Sequence, residues 1–229
     1  MVSAFAETIT DPMIREAIAL QAKEEARHGR LLEFLIKHYD VPINEPAPPT
    51  VPPNIAQEFI DFGFGECLDS YFAFGMFALA RQTSYFPEAL FTIFDPILYE
   101  EARHIVFFVN WVSYMQVNQG RGFVPLRVAH AGVHYGRALL HLAKSFTSAG
   151  GSTGESFTAA GAGAFTDNLT PARVFSVCLQ ENEKRMSSFD DRLLQPRLLP
   201  KLSAIALQAL KLLPQRQSTP NPEISPSNL

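Results

Sequence analysis

The chain has 229 residues, 47% of them hydrophobic, enough for one large domain, or a domain with an appendage, around a sizeable core. Its net charge of -4, with both signs mixed along the chain, argues against a broad basic surface for nucleic acid. The longest apolar run is five residues, Ile105 to Val109, far short of a bilayer span; Met1-Val2-Ser3 opens no signal peptide, and Cys67 and Cys178 make no disulfide framework, so a cytoplasmic location is expected.

Residues 1–10 read as a short lead-in. Asp11-Pro12 is a helix start, with Asp suited to the cap and Pro to the first turn. From there Ile14, Ile18, Gln21, Glu25, His28, Leu32 and Leu35 follow a 3.6-residue period to about Tyr39. Lys23, Glu24, Arg27 and Arg30 fall outside that stripe. Residues 40–53 hold six prolines and are expected to be extended. Fourteen such residues reach about 43 Å, against about 40 Å for the helix before them, so the linker has the length to travel the bundle and start the next helix in parallel.

The second long helix is expected over residues 54–82, with Phe59, Phe62, Glu66, Ala73, Phe77 and Ala80 inward. Glu66 is the carboxylate centred in this aromatic stretch. Gly63 and Gly65 beside it suggest a close neighbour or a local bulge. The third runs from Pro87 to about Asn118, restarted or kinked at Asp95-Pro96, with Ile97, Glu101, His104, Phe108, Trp111, Val112 and Met115 inward. Counting from the intervening turn at 1.5 Å per residue puts Glu66 and Glu101 about 24 and 21 Å away, at similar heights.

Beyond residue 120 a helix from Pro125 to about Phe146 presents Val128, Gly132, Tyr135, Leu139, Leu142 and Phe146 as its apolar face. His130, His134 and His141 share the opposite face with Arg127, Arg137 and Lys144. That reads as a solvated basic face, a docking surface for an anionic partner, rather than a zinc site. Residues 147–169 read as loop or weak helix, 170–189 and 196–213 as helices, and 214–229 as a disordered tail. Residues 1–120 thus form the core and 121–213 a helical extension packed on it. The last helix, with Lys201 and Lys211 among leucines, is long enough to lie on a membrane surface, though packing on the bundle is the commoner fate.

The chemistry centres on a repeated pentapeptide. Residues 24–28 and 100–104 are both Glu-Glu-Ala-Arg-His. Each contains Glu-x-x-His, which puts a carboxylate and an imidazole on one helix face a turn apart. Paired Glu-x-x-His motifs with single glutamates from other helices build di-metal sites in four-helix bundles. The competing reading is three buried carboxylates neutralised by Arg27, Arg81 or Arg103. Vacant positions among carboxylate and imidazole ligands suit iron or manganese better than structural zinc. Tyr71 and Tyr99 are weaker candidates as electron donors, Glu181 as an extra ligand, and Cys67 reads as a core residue.

These motifs resemble the ferritin-like di-iron carboxylate superfamily, the fold of rubrerythrins and bacterial di-iron oxidases. The order Glu-x-x-His, long crossover, Glu, Glu-x-x-His over residues 11–118 is similar to that family's second, third and fourth helices. The resemblance implies an all-α, up-down bundle with one long crossover, plus C-terminal helices. It implies Glu25, His28, Glu66, Glu101 and His104 as metal ligands, two of the carboxylates bridging and both histidines terminal. The cofactor would be di-iron, with manganese possible in one site. The family pattern has a further glutamate on a first helix, for which the ten residues before Asp11 leave no room, and Glu7 lies at the turn. Either the start lies upstream of Met1, the favoured expectation, or a helix has been lost and five ligands remain. The upstream start also predicts an exposed apolar groove here.

The function expected on this basis is a non-haem di-metal oxidoreductase activating oxygen or peroxide. An external electron donor is implied, because no rubredoxin-like Cys pairs are present, and a homo-oligomer is open. The alternatives are iron storage or detoxification, and a non-catalytic helical interaction protein.

Overall fold

The structure, a computed structural model, describes residues 1–43, 51–84, 86–148 and 170–212. It is all-α. Among the described residues there are seven helices and no strand: α1 (Val2–Thr8), α2 (Pro12–His38), α3 (Ile55–Gln82), α4 (Glu88–Asn118), α5 (Val124–Ser148), α6 (Pro171–Met186) and α7 (Leu198–Leu212). No helix among them is long and apolar enough to cross a membrane. Half of the proline linker, residues 44–50, the segment after α5 and the C-terminal tail lie outside the described residues.

Local signals start and stop the helices as their chemistry requires. The Asp11 carboxylate accepts from the backbone N–H of Met13 and Ile14, with Pro12 in the first turn. Thr170 caps α6 in the same way, accepting from Arg173. At the end of α4, Gly120 takes φ +73°, and the N–H groups of Gly120 and Arg121 return to the carbonyls of Val117 and Gln116. That paired closure satisfies carbonyls a helix end would leave open. Pro96 sits inside α4, which continues through it to Asn118, so it does not restart the helix.

α3 is the hub. Its buried residues lie all around it, from Phe59 to Ala80, and α4, α5 and α6 each pack on it. Aromatic pairs fix the register of α3 and α4. Phe59 meets Trp111, Phe64 meets Phe108, and Phe77 meets Phe94. The two helices are therefore antiparallel, and Glu66 stands level with His104 and Ile105. Gly63 allows that approach, since a Cβ there would run into the Phe108 ring; Gly65 has open space beside it and plays no such part. Gly75 lets Cys178 of α6 pack equally close. α7 lies on α6, burying Leu199 and Ser203, while Leu202 and Ile205 remain exposed.

The lead-in proves more ordered than expected. Residues 2–8 form a helix, and Phe5 stacks on Phe59 at 4.0 Å and meets Trp111 edge-on at 5.4 Å. Its aromatic ring closes one end of the core. A groove of about 680 Å³ does open beside α2, but Ala19, Ala22 and Ala26 share it with Arg15, Glu16 and Lys23. Its exposed lining is mainly apolar all the same.

Candidate metal centre

The two pentapeptides meet face to face. Glu24 of α2 reaches Arg103 and His104 of α4, and Glu100 of α4 reaches Arg27 and His28 of α2. α2 and α4 are thus antiparallel here, and α2 runs parallel to α3, the orientation a long crossover requires. The pairing is nearly two-fold symmetric, as identical segments crossing antiparallel should be. Within each half the first glutamate and the arginine reach across, while the second glutamate turns inward.

Each imidazole faces carboxylates on both sides and is hydrogen-bonded through Nε2. Nε2 of His28 lies 2.7 Å from Glu100, and Nε2 of His104 lies 2.7 Å from Glu24. The Nδ1 atoms point the other way. His28 Nδ1 is 3.1 Å from Glu101 and 3.8 Å from Glu25; His104 Nδ1 is 3.1 Å from Glu25 and 3.6 Å from Glu101. Both rings are buried, at 7% and 4% exposure. Glu24 and Glu100 are in turn tied by Arg103 and Arg27, which reach them from more open positions.

The arginines therefore do not neutralise the inner acids. Arg27 goes to Glu100, Arg103 to Glu24, and Arg81 to Asp95 and Glu88. Glu25 and Glu101 are left to the histidines, with geometry that hydrogen bonding does not exhaust. Glu25 Oε1, Glu101 Oε2 and His104 Nδ1 are buried and make no hydrogen bond, although Oε1 and Nδ1 are only 3.1 Å apart. Two donors sharing a metal at about 2.1 Å each, near a right angle, stand about 3 Å apart. Ligand atoms of Glu25, His28 and Glu101 lie within 4.8 Å of one another. The residues present fit a metal centre by the chemistry of their donors and by these orphaned atoms.

Electrostatics tell the same story. Burial alone would raise the Glu25 carboxyl; contacts with His104 and His28 reverse this and hold it at about 2. Burial would likewise lower both imidazoles. For His28 the contacts with Glu101, Glu25 and Glu100, and for His104 those with Glu101, Glu25 and Glu24, push the ring up to about 10. Glu66 moves in the opposite direction to Glu25. Burial, together with the charges of Glu101 and Glu25, lifts it well above the carboxylate range. The Glu66 carboxyl, on α3, thus feels both inner acids, while the ligand atoms close enough together to share one ion are those of Glu25, His28 and Glu101.

All five expected ligands thus come to one level of the helices. Glu25, His28, Glu101 and His104 are in direct contact, and Glu66 adjoins them through its field. Glu24 and Glu100 were missed as working residues because they fall outside the apolar stripe. The signal was present, since the repeat includes all five residues and not only the Glu and His of each motif. Tyr99 is 54% exposed, facing solvent beneath Arg103, whereas Tyr71 is buried. Glu181 pairs with Lys184 and Arg185 on its own helix, away from the cluster. Cys67 is a buried free thiol raised to about 12 by burial, a core residue as expected.

The face of α5 also differs from expectation. His134 is 4% exposed, while Val128 and Leu139 of the supposed apolar face are 64% and 39% exposed. α5 is turned so that His130 meets α4 and His134 meets α3, while His141 is exposed. Asp61 supplies His134 with a hydrogen-bond partner and Phe64 stacks on its ring, which together offset the cost of burying an imidazole. No family model, curated protein or solved structure matches the chain.

Proposed function

We propose that the chain is a ferritin-like di-metal carboxylate protein, an oxidoreductase that uses iron, or iron with manganese, to activate oxygen or peroxide. The observation that carries this reading is the convergence of Glu25, Glu101 and both Nδ1 atoms on one buried space, with three of those polar atoms unpartnered. Glu25, His28, Glu101 and His104 would hold the metal, with Glu66 joining from α3. When bound, the metal pair supplies a redox couple and open coordination positions for a small oxidant.

The surrounding residues have definite tasks in that reading. Glu24 and Glu100 accept the Nε2 protons of His104 and His28, leaving Nδ1 as the lone-pair nitrogen toward the metal. This orienting contact is the usual second partner of a metal-bound histidine. Arg27 and Arg103 hold those glutamates in place from the solvent side. Glu66, kept protonated by burial and by its acidic neighbours, stores a proton that it releases as positive charge arrives.

Metal content after anaerobic loading of the full chain with ferrous iron tests the proposal. Two irons per chain are expected, with loss of both in Glu101→Ala and His104→Ala. Glu100→Gln should weaken affinity about 10–100-fold, as loss of an orienting partner does. A chain that stays folded yet binds no iron overturns the reading and leaves an ion-pair network joining two helices. Iron bound without any oxygen- or peroxide-dependent change in its optical spectrum would overturn the redox part alone.

A further inference from the structure

A second cluster of metal-ligating side chains lies between α3, α4 and α5, built from none of the pentapeptide residues. It runs as a chain of contacts. Asp61 Oδ1 lies 2.5 Å from His134 Nδ1. His134 Nε2 lies 3.2 Å from His130 Nε2. His130 Nδ1 lies 3.1 Å from the side-chain amide of Gln116. α3 and α4 thus hold the two imidazoles of α5 from behind, each by its Nδ1, and the two Nε2 atoms face each other.

We propose that His130 and His134 form a binding site for a single zinc-class divalent cation, with solvent completing its coordination. Two imidazole nitrogens bound to one zinc ion at about 2.0–2.1 Å in a tetrahedral arrangement stand about 3.3–3.4 Å apart, and at a right angle about 2.9 Å. The observed 3.2 Å falls between these limits. The spacing i, i+4 on one helix is the spacing at which two histidines share a metal. Asp61 behind His134 repeats the carboxylate–histidine arrangement that orients a metal ligand and makes it more basic.

The protons are accounted for without a change of charge. Asp61 is held below the ordinary carboxylate range by its contacts with His134 and Gln57, which outweigh its burial. As a carboxylate it accepts a proton on His134 Nδ1, so Nε2 of the neutral ring is a lone pair. Without metal, His130 donates its Nε2 proton to that lone pair, and the Gln116 amide donates to His130 Nδ1. With metal, the His130 proton moves to Nδ1 and Gln116 turns its amide to present oxygen. Burial first, with the Arg121 charge adding to it, holds His130 below its ordinary value, which favours the neutral ring that ligation needs.

Of the nearby arginines, one pairs with the carboxylate behind His134 and the other turns to α4. Arg137 lies 3.4 Å from Asp61, and Arg127 donates to Ser113. His130 is half-buried, so water has access to the remaining coordination positions.

Zinc titration of the full chain against a chelating dye tests this site, with His130→Ala and Asp61→Asn beside the unaltered chain. His130→Ala should lose one equivalent of zinc while keeping the iron loading of the pentapeptide site. Asp61→Asn should keep the equivalent at about 10–100-fold weaker affinity. Equal zinc stoichiometry in His130→Ala and the unaltered chain overturns the proposal. In the unaltered chain, zinc should also shift the Nε2 resonances of His130 and His134. Unmoved resonances overturn it even where a variant fails to fold.

Discussion

His28 and His104 each lie among three carboxylates, and those contacts set how the two rings titrate. In the metal-free chain, His28 and His104 rise from 6.5 to about 10 because their glutamate contacts outweigh burial. A group whose pKa is raised on folding stabilises the fold fully below its unfolded value. That contribution is lost as pH climbs from 6.5 through about 10. The melting temperature of metal-free protein should therefore fall steadily across that window, and His104→Gln should flatten much of the slope. An unchanged slope in that variant would mean that the imidazolium cage does not exist in solution. At this scale the sequence marked Glu25, His28, Glu101 and His104 by repetition and Glu66 by its place in an aromatic stretch, and the structure brings the four residues of the repeat into contact. It was silent about Glu24 and Glu100. Their role depends on the antiparallel crossing of α2 and α4, a relation between residues some 70–80 positions apart that no single helix pattern contains.

Helices here were legible wherever a cap or an apolar stripe was strong, and misread where a polar residue had a partner elsewhere. Asp11-Pro12 and Thr170-Pro171 begin helices as their chemistry demands. α5 was read with the wrong face inward because His134 counts as polar until Asp61 is known to meet it. α1 went unread since seven residues carry too little periodicity; its helix is held by Phe5 against Phe59 and Trp111 rather than by propensity. The glycines of α3 show the same division. Gly63 and Gly65 look alike in sequence, yet only the first faces Phe108. Gly63→Ala should cost about 1–3 kcal/mol by overpacking, while Gly65→Ala should gain about 0.5–1 kcal/mol of helix preference. Urea unfolding of the two variants separates them. Equal and opposite outcomes, with Gly65→Ala the more damaging, would mean that α3 and α4 meet in a different register.

For the whole molecule, the order of helices and the parallel course of α2 and α3 followed from one proline-rich linker and two short turns. What the linear pattern could not supply was how unevenly the helices are held. α3 is buried on several sides, whereas α2, 27 residues long, buries only Ile18, Gln21 and His28. Beyond His28, Phe34 and Tyr39 are exposed at 64% and 62%. Hydrophobic burial therefore contributes little to fastening α2, and its middle is joined to α4 through the pentapeptide ion pairs and hydrogen bonds. Local opening follows such differences in packing, and a ligand that binds only the closed form slows the opening of the elements it joins. Ferrous iron should thus protect amides of α2 around residues 21–31 against hydrogen exchange by at least about tenfold at 100-fold excess over its dissociation constant. The α3 amides between Phe59 and Leu79 should hardly change, since they exchange through opening of the whole core. Uniform protection of all helices would instead mean that α2 and α3 open together, and that the metal fastens a core already cooperative. Protection confined to α5 would move the principal metal site to His130 and His134.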